Sequence, residues 1–198
     1  MALLVGGSAI AQAINTAISP VLSRLYTPEQ FGVLGTVMAV AGPITVIAAL
    51  KYEQAIVLEE DEKNAENIKK LSFAIILAVS LLSSFGIFMY LFLSDWLGIE
   101  KRSNFLWWSI ILIFTGSFLQ LLHHSLNRKK LYKLIAVSKV SGQIFKSGFD
   151  VGAGLIIGGS ATILIIGNAL GFIVPIIYIL FKDRPAWFFN KNSLIPVA

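Results

Sequence analysis

Cysteine is absent from the 198-residue chain, and charged residues make up only 14% of it. The first absence excludes a disulfide framework, a thiolate metal site and a thiol nucleophile. The second argues against a soluble domain, in which about a quarter of residues are charged. Histidine occurs twice and proline six times. What is abundant is hydrocarbon: 56% of residues are hydrophobic and the mean hydropathy is +0.78. At roughly 20 apolar residues per spanning helix, the length allows about six spans with short loops and no separate soluble domain.

Apolar runs occupy residues 1–23, 31–50, 71–93, 105–126, 134–157 and 161–181. The first lacks a basic leader, is too long for a signal peptide and carries Gln12 and Asn15 in its middle, so it is read as a helix of the fold. Thr27, Pro28 and Gln30 form a helix start, with Thr27 as N-cap, Pro28 at the first helical position and Gln30 closing a capping box. The second helix is therefore predicted to span 28–50. Pro43 and Pro175 are predicted to kink their helices. The fold class is an all-α membrane protein, with six transmembrane helices over 1–181 and a cytoplasmic, interfacial tail over 182–198.

Topology follows from the net charge of +5 and the placement of the 16 Lys and Arg residues. Eleven fall on the side of the 51–70 and 127–133 loops and the tail, three (Arg24, Lys101, Arg102) on the other, and Lys139 and Lys146 within the 134–157 run. Both termini are thus expected in the cytoplasm. Trp96, Trp107 and Trp108 bracket the outer loop, and Trp187, Phe188 and Phe189 follow the last span at the inner face.

Lys139, Gln143, Lys146 and Asp150 are spaced to share one helical face, a stripe about 60° wide. Lys146 lies about 18 Å along the helix from Leu134, near mid-membrane. A charge there costs about 2.5–3.5 kcal/mol on insertion scales, so it needs a wet cavity or a partner. The stripe predicts a hydrophilic lumen; the alternative is an internal Lys146–Asp150 pair, with Lys139 snorkelling to the interface. Ser8, Gln12, Asn15, Ser19 and Ser23 form a second polar face, which lines the same cavity or supplies interhelical hydrogen bonds. Gly148 and Gly152, and Gly167 and Gly171, are small-residue steps for close helix packing.

Adjacent His123 and His124 point about 100° apart on a helix and, without other His or Cys, indicate an interfacial role rather than a metal site. The acidic run from Glu59 to Glu62 reads as a solvated loop lacking the calcium-loop pattern. No catalytic set emerges, so no enzyme, metal or cofactor is expected.

Three stretches resemble the polysaccharide-biosynthesis flippases of the multidrug/oligosaccharidyl-lipid/polysaccharide exporter superfamily. They are Ser23-Arg24-Leu25-Tyr26-Thr27-Pro28-Glu29-Gln30-Phe31-Gly32, Lys51-Tyr52-Glu53-Gln54-Ala55-Ile56-Val57-Leu58 and Asn127-Arg128-Lys129-Lys130-Leu131-Tyr132-Lys133. Lys51 stands where many relatives carry Arg, and Glu59 where Pro is common. The similarity covers the amino-terminal half of a member, implying one six-helix lobe of a two-lobe fold, completed by a second lobe in cis or trans. It implies movement of undecaprenyl-pyrophosphate-linked oligosaccharide across the bacterial inner membrane for O-antigen, capsule or exopolysaccharide, beside membrane lipid and a polysaccharide polymerase, with no nucleic acid.

On that reading Lys139, Lys146 and Arg24 attract the pyrophosphate, and Gln143, Gln12 and Asn15 contact sugar hydroxyls. Asp150 and Glu53 are the carboxylates available if protons or sodium drive the cycle. The alternatives are a drug or cation exporter of the same superfamily, expected to have an acidic lumen, and a non-transporting subunit of a glycan assembly complex.

Overall fold

The computed structural model describes residues 2–48, 50–96 and 104–183, and within them every regular element is helical. Seven α-helices follow in order: α1 (Ala2–Leu25), α2 (Pro28–Ile47), α3 (Tyr52–Leu58), α4 (Glu62–Trp96), α5 (Trp107–Arg128), α6 (Tyr132–Ile157) and α7 (Ala161–Lys182). A 3-10 turn, Asn104–Leu106, leads into α5. Each of the six apolar runs forms one long helix. Lys101 and Arg102 of the outer loop, and Trp187, Phe188, Phe189 and the rest of the 184–198 tail, lie outside the described residues.

The sequence predicts six spans, and among the described residues four helices, α2, α4, α5 and α7, are long and apolar enough to cross a bilayer. With 24 and 26 residues, α1 and α6 have comparable length; α6 carries Lys139, Lys146 and Asp150 in its middle, and α1 has no charged residue before Arg24. The outward side chains match a hydrocarbon solvent: Leu81, Leu82, Phe85 and Phe92 of α4 and Ile156 of α6 are largely exposed. Left in water, each would forgo roughly 1.5–3 kcal/mol of burial. The chain is a membrane protein.

Local chemistry sets the turns. The Thr27 backbone N–H donates to Gln30 Oε1 at 3.0 Å, and the Gln30 N–H donates to Thr27 Oγ1 at 3.4 Å, completing the capping box and starting α2 at Pro28. Gln30 Nε2 also donates to the Gly159 carbonyl at 2.7 Å, tying this turn to the α6–α7 turn. There Gly158 adopts φ +90°, a backbone conformation open to glycine. Pro43 and Pro175 lie inside unbroken helices, as does Pro20 in α1.

α3 occupies what the sequence reads as loop. Leu50 and Lys51, at φ 50° and 64°, turn the chain into it. Its far end is held by Arg128, which donates to the carbonyls of Ile56 at 3.0 Å, of Glu59, and of Glu60 at 3.3 Å. A cation on a helix's last carbonyls satisfies orphan acceptors and complements the dipole. Lys129, the next residue, pairs with Asp183 at 2.6 Å and anchors the end of α7.

The interior is packed in three clusters. Ile56, Ile76, Leu121, Leu126, Ile135 and Ile179 join α3 through α7 toward the ends of α5 and α7 that carry Arg128 and Asp183. Val37, Ala41, Leu112, Ile113 and Ile165 join α2, α5 and α7. Leu22 and Tyr26 seat the end of α1 against Ile163 and Leu164. In this arrangement α5 is the central post and α1 packs on α6.

Close approach follows the predicted glycine step on α7, where Gly167 packs on Asp150 and Gly171 on Lys146 and Gly142, but not the one on α6. Gly148 and Gly152 would meet nothing within 4 Å if they carried a Cβ. A Cβ at Gly142 would instead lie 2.6 Å from both the Gly171 carbonyl oxygen and Pro175 Cγ, and one at Gly7 would lie 2.6 Å from Ala136 Cβ. Gly142→Ala should therefore lower thermal stability in detergent by about 1–3 kcal/mol through overpacking. Gly148→Ala should leave the melting temperature unchanged or slightly higher; equal destabilisation of both variants would contradict the packing.

Candidate substrate cavity

The polar stripe of α6 faces the polar face of α1. Lys139 Nζ donates to Ser8 Oγ at 3.0 Å, and Gln143 Nε2 donates to Asn15 Oδ1 at 3.2 Å and to Ser147 Oγ at 3.0 Å. Partner numbers rise together along the two helices, so α1 and α6 run parallel, with Lys139 and Ser8 at one end and Asp150 near Tyr26 at the other. Apolar residues at these positions would close the seam. Polar ones leave hydrogen-bonding groups that must be met by each other or by water.

Beside this seam lies a cavity of about 460 Å³, within the usual range for small-molecule sites. Ser8, Ala11, Gln12 and Asn15 of α1 and Lys139, Gly142, Gln143 and Lys146 of α6 form two walls. Leu119 and His123 of α5, with Asn168, Gly171, Phe172 and Pro175 of α7, complete it. Gln12 and Asn15 are exposed at its rim. Five of the seven residues singled out from sequence, Gln12, Asn15, Lys139, Gln143 and Lys146, line this one space.

The other two are placed differently. Arg24 is exposed at the end of α1, outside the cavity lining. Asp150 is fully buried behind Lys146, whose Nζ meets Asp150 Oδ2 at 2.8 Å while the Lys146 side chain keeps 18% of its surface exposed. The two sequence readings of the stripe therefore coexist, because the lysine belongs to an ion pair and to the cavity wall at once. Asp150 Oδ1 has no hydrogen-bond partner among the described residues. It packs on α7 at Gly167, where any Cβ would overlap the carboxylate. The Tyr26 hydroxyl donates to the Asp150 backbone carbonyl at 2.5 Å and holds this part of α6 against the α1–α2 turn.

Sequence reasoning missed several lining groups. His123, assigned an interfacial role, lies inside the cavity wall, with Nε2 3.0 Å from Ser138 Oγ. Its orientation depends on how α5 is rotated against α6, which the sequence of α5 does not contain. Asn168 also lines the space, its Nδ2 donating to the Leu164 carbonyl at 2.8 Å and leaving its oxygen uncommitted by that bond. A single Asn in an otherwise apolar helix was the available signal. Glu53 lies away from the cavity: it is 1% exposed, with Oε1 accepting from Gln120 Nε2 at 3.4 Å and Oε2 unpartnered among the described residues.

Electrostatically the cavity is cationic. Lys139 and Lys146 both line it, its lining holds no carboxylate among the described residues, and Asp150, the partner of Lys146, is buried behind that lysine. Such a surface accepts phosphate oxygens on its amines and hydroxyls on Gln12, Asn15, Gln143 and Asn168. Breaking the ion pair should be asymmetric. Lys146→Met removes the counter-charge of a fully buried carboxylate and should lower stability at neutral pH by about 3–5 kcal/mol. Asp150→Asn leaves an amine that can turn into the cavity and should cost clearly less if the cavity is wet; thermal unfolding of the two variants checks the order, and the reverse order would mean a dry cavity.

The family described as "Polysaccharide biosynthesis protein" matches residues 21–197. No curated protein and no solved structure shows significant similarity. The match takes in α2 through α7 and the cavity walls formed by α5, α6 and α7; the α1 wall, from Ser8 to Asn15, precedes it. The chain belongs to the polysaccharide biosynthesis protein family.

Proposed function

We propose that this chain translocates a polyprenyl-pyrophosphate-linked oligosaccharide from the inner to the outer leaflet of the bacterial inner membrane, supplying O-antigen, capsule or exopolysaccharide synthesis. The single observation behind the proposal is the cationic, hydrogen-bonding cavity set among apolar helices, with Lys139 and Lys146 in its wall. Its chemistry matches such a cargo in two parts. Pyrophosphate and sugar need a wet, positively charged path through about 30 Å of hydrocarbon, and the prenyl chain does not. In this reading the two lysines hold phosphate oxygens, and Gln12, Asn15 and Gln143 contact sugar hydroxyls. Arg24, outside the lining, acts as an interfacial anchor.

α1 and α6 complete a six-helix lobe with both termini in the cytoplasm. Alternating access then comes from rocking against a second six-helix lobe supplied in cis or trans, two parallel repeats about the membrane normal. The inside-negative potential favours outward passage of an anion by about 2.3 kcal/mol per charge per 100 mV. The lobe itself performs no bond chemistry. A drug or cation exporter is disfavoured, because the carboxylate at this depth, Asp150, is sealed behind a lysine. A non-transporting packing subunit draws support from the Lys139–Ser8 and Lys146–Asp150 contacts and is separated by experiment.

Since the chain has no cysteine, Gln143→Cys introduces a lone thiol into the cavity wall. Labelling by a membrane-impermeant maleimide, blocked by added prenyl pyrophosphate, is expected for a transport cavity. Lys139→Gln should lower surface polysaccharide at least tenfold with unchanged membrane abundance, the equivalent of about 1.4 kcal/mol or more of lost interaction. A sealed thiol together with normal polysaccharide in Lys139→Gln would leave the packing subunit as the reading.

A further inference from the structure

We infer that anionic cargo and a proton bind to this lobe together, because Lys146 serves either the cargo or Asp150 and its departure leaves Asp150 to be protonated. The inference rests on the cargo site proposed above and adds to it a coupling device built from one ion pair.

The geometry limits what the pair can do. The Lys146 amine is 2.8 Å from Asp150 Oδ2, and its side chain opens on the cavity with 18% of its surface exposed, whereas that of Asp150 has none. The lysine can therefore turn toward a ligand and the aspartate cannot follow. Asp150 has nothing to fall back on among the described residues. Oδ1 is already without a partner, and α7 faces it with Gly167, which has no side chain. The Tyr26 hydroxyl is committed to the backbone carbonyl rather than to the carboxylate. The groups packed around it are thus Lys146 from its own helix, Tyr26 from the α1–α2 turn and an uncharged surface of α7; among the described residues no second cation is paired with it.

A phosphate oxygen entering the cavity competes directly for the Lys146 amine. If the amine moves, the buried carboxylate loses its counter-charge, and an unpaired charge in such a site neutralises itself by titration. The balance is one proton: it leaves bulk water, crosses the cavity and bonds to Oδ2, the oxygen that Lys146 has vacated. Lys146 keeps its three protons and donates to the phosphate. The site passes from a paired lysine and carboxylate to a lysine–phosphate pair and a neutral acid. Release of cargo returns Lys146 to Asp150 and expels the proton. By reciprocity, whatever protonates Asp150 also tightens cargo binding.

The test is calorimetric titration of the purified full chain in lipid nanodiscs with farnesyl pyrophosphate, in two buffers of different ionisation enthalpy, which counts protons taken up per ligand bound. The wild type should take up about one proton more than Asp150→Asn, and its affinity should weaken by up to tenfold per pH unit above neutrality relative to that variant. Protonation of the ligand itself is common to both and cancels. Binding by both proteins with equal proton uptake would overturn the coupling and leave the cargo site standing. No binding by the wild type would remove both. If Asp150→Asn does not fold, infrared difference spectra of the wild type labelled with carboxyl-13C aspartate decide the matter. A protonated-acid band that appears with the probe and shifts with the label supports the coupling, and saturated binding without that band overturns it.

Discussion

A positive charge held by a single buried carboxylate, deep in a helix of a membrane protein, is the constraint around which this helix bundle is arranged. Lys146 and Asp150 are one turn apart on α6, so the helix brings them together without help from other elements. What the tertiary structure adds is their unequal exposure. α7 closes over Asp150 with a glycine, and the Tyr26 hydroxyl fixes the carbonyl beside it. α1 and α5 stand back far enough on the other side to leave Lys146 at a cavity. Burial of one partner and hydration of the other follow from those neighbours, since pairing in low dielectric is stable only where both charges are matched.

The packing around this pair gives a physical role to the three stretches that carry the family resemblance. The first stretch, through Tyr26 and Gln30, hydrogen-bonds α6 and the α6–α7 turn. The second stretch is α3, and the third carries Arg128, which donates to the carbonyls at the end of α3. Two of the three stretches thus meet each other, and the remaining one meets the Asp150 region. They form clamps at opposite ends of the helix bundle, with the cavity between them. A family signature made of such clamps identifies a scaffold. The side chains of the cavity wall lie outside those stretches.

Each cavity wall has its own chemical character. α6 contributes both amines, α1 contributes amides and a hydroxyl, and α5 and α7 contribute His123 and Asn168 against the apolar surfaces of Leu119, Phe172 and Pro175. The small residues Gly142 and Gly171 keep α6 and α7 close where the cavity ends. Hydrogen bonds within the empty wall, such as Lys139 to Ser8 and Gln143 to Asn15, keep the polar groups satisfied and exchangeable. On the proposed function, an incoming phosphate or hydroxyl would replace these contacts at modest net cost, because protein–protein and protein–ligand hydrogen bonds are similar in strength.

The sequence by itself determined that the chain lives in a bilayer, where its long helices run, where α2 begins, and that α1 and α6 each carry a polar stripe. Those features depend on composition, on the 3.6-residue period and on capping chemistry, all of which are local. Only the tertiary structure decided that five of the named polar residues share one cavity, that His123 and Asn168 join them, and that Arg24 does not. It also decided that Gly142 rather than Gly148 is the point of close approach and that the loop after α2 folds into α3 under Arg128. Each of these depends on the rotation and offset of one helix against another, which are fixed by side chains meeting across the bundle. A periodicity within one helix carries no information about its partner's phase.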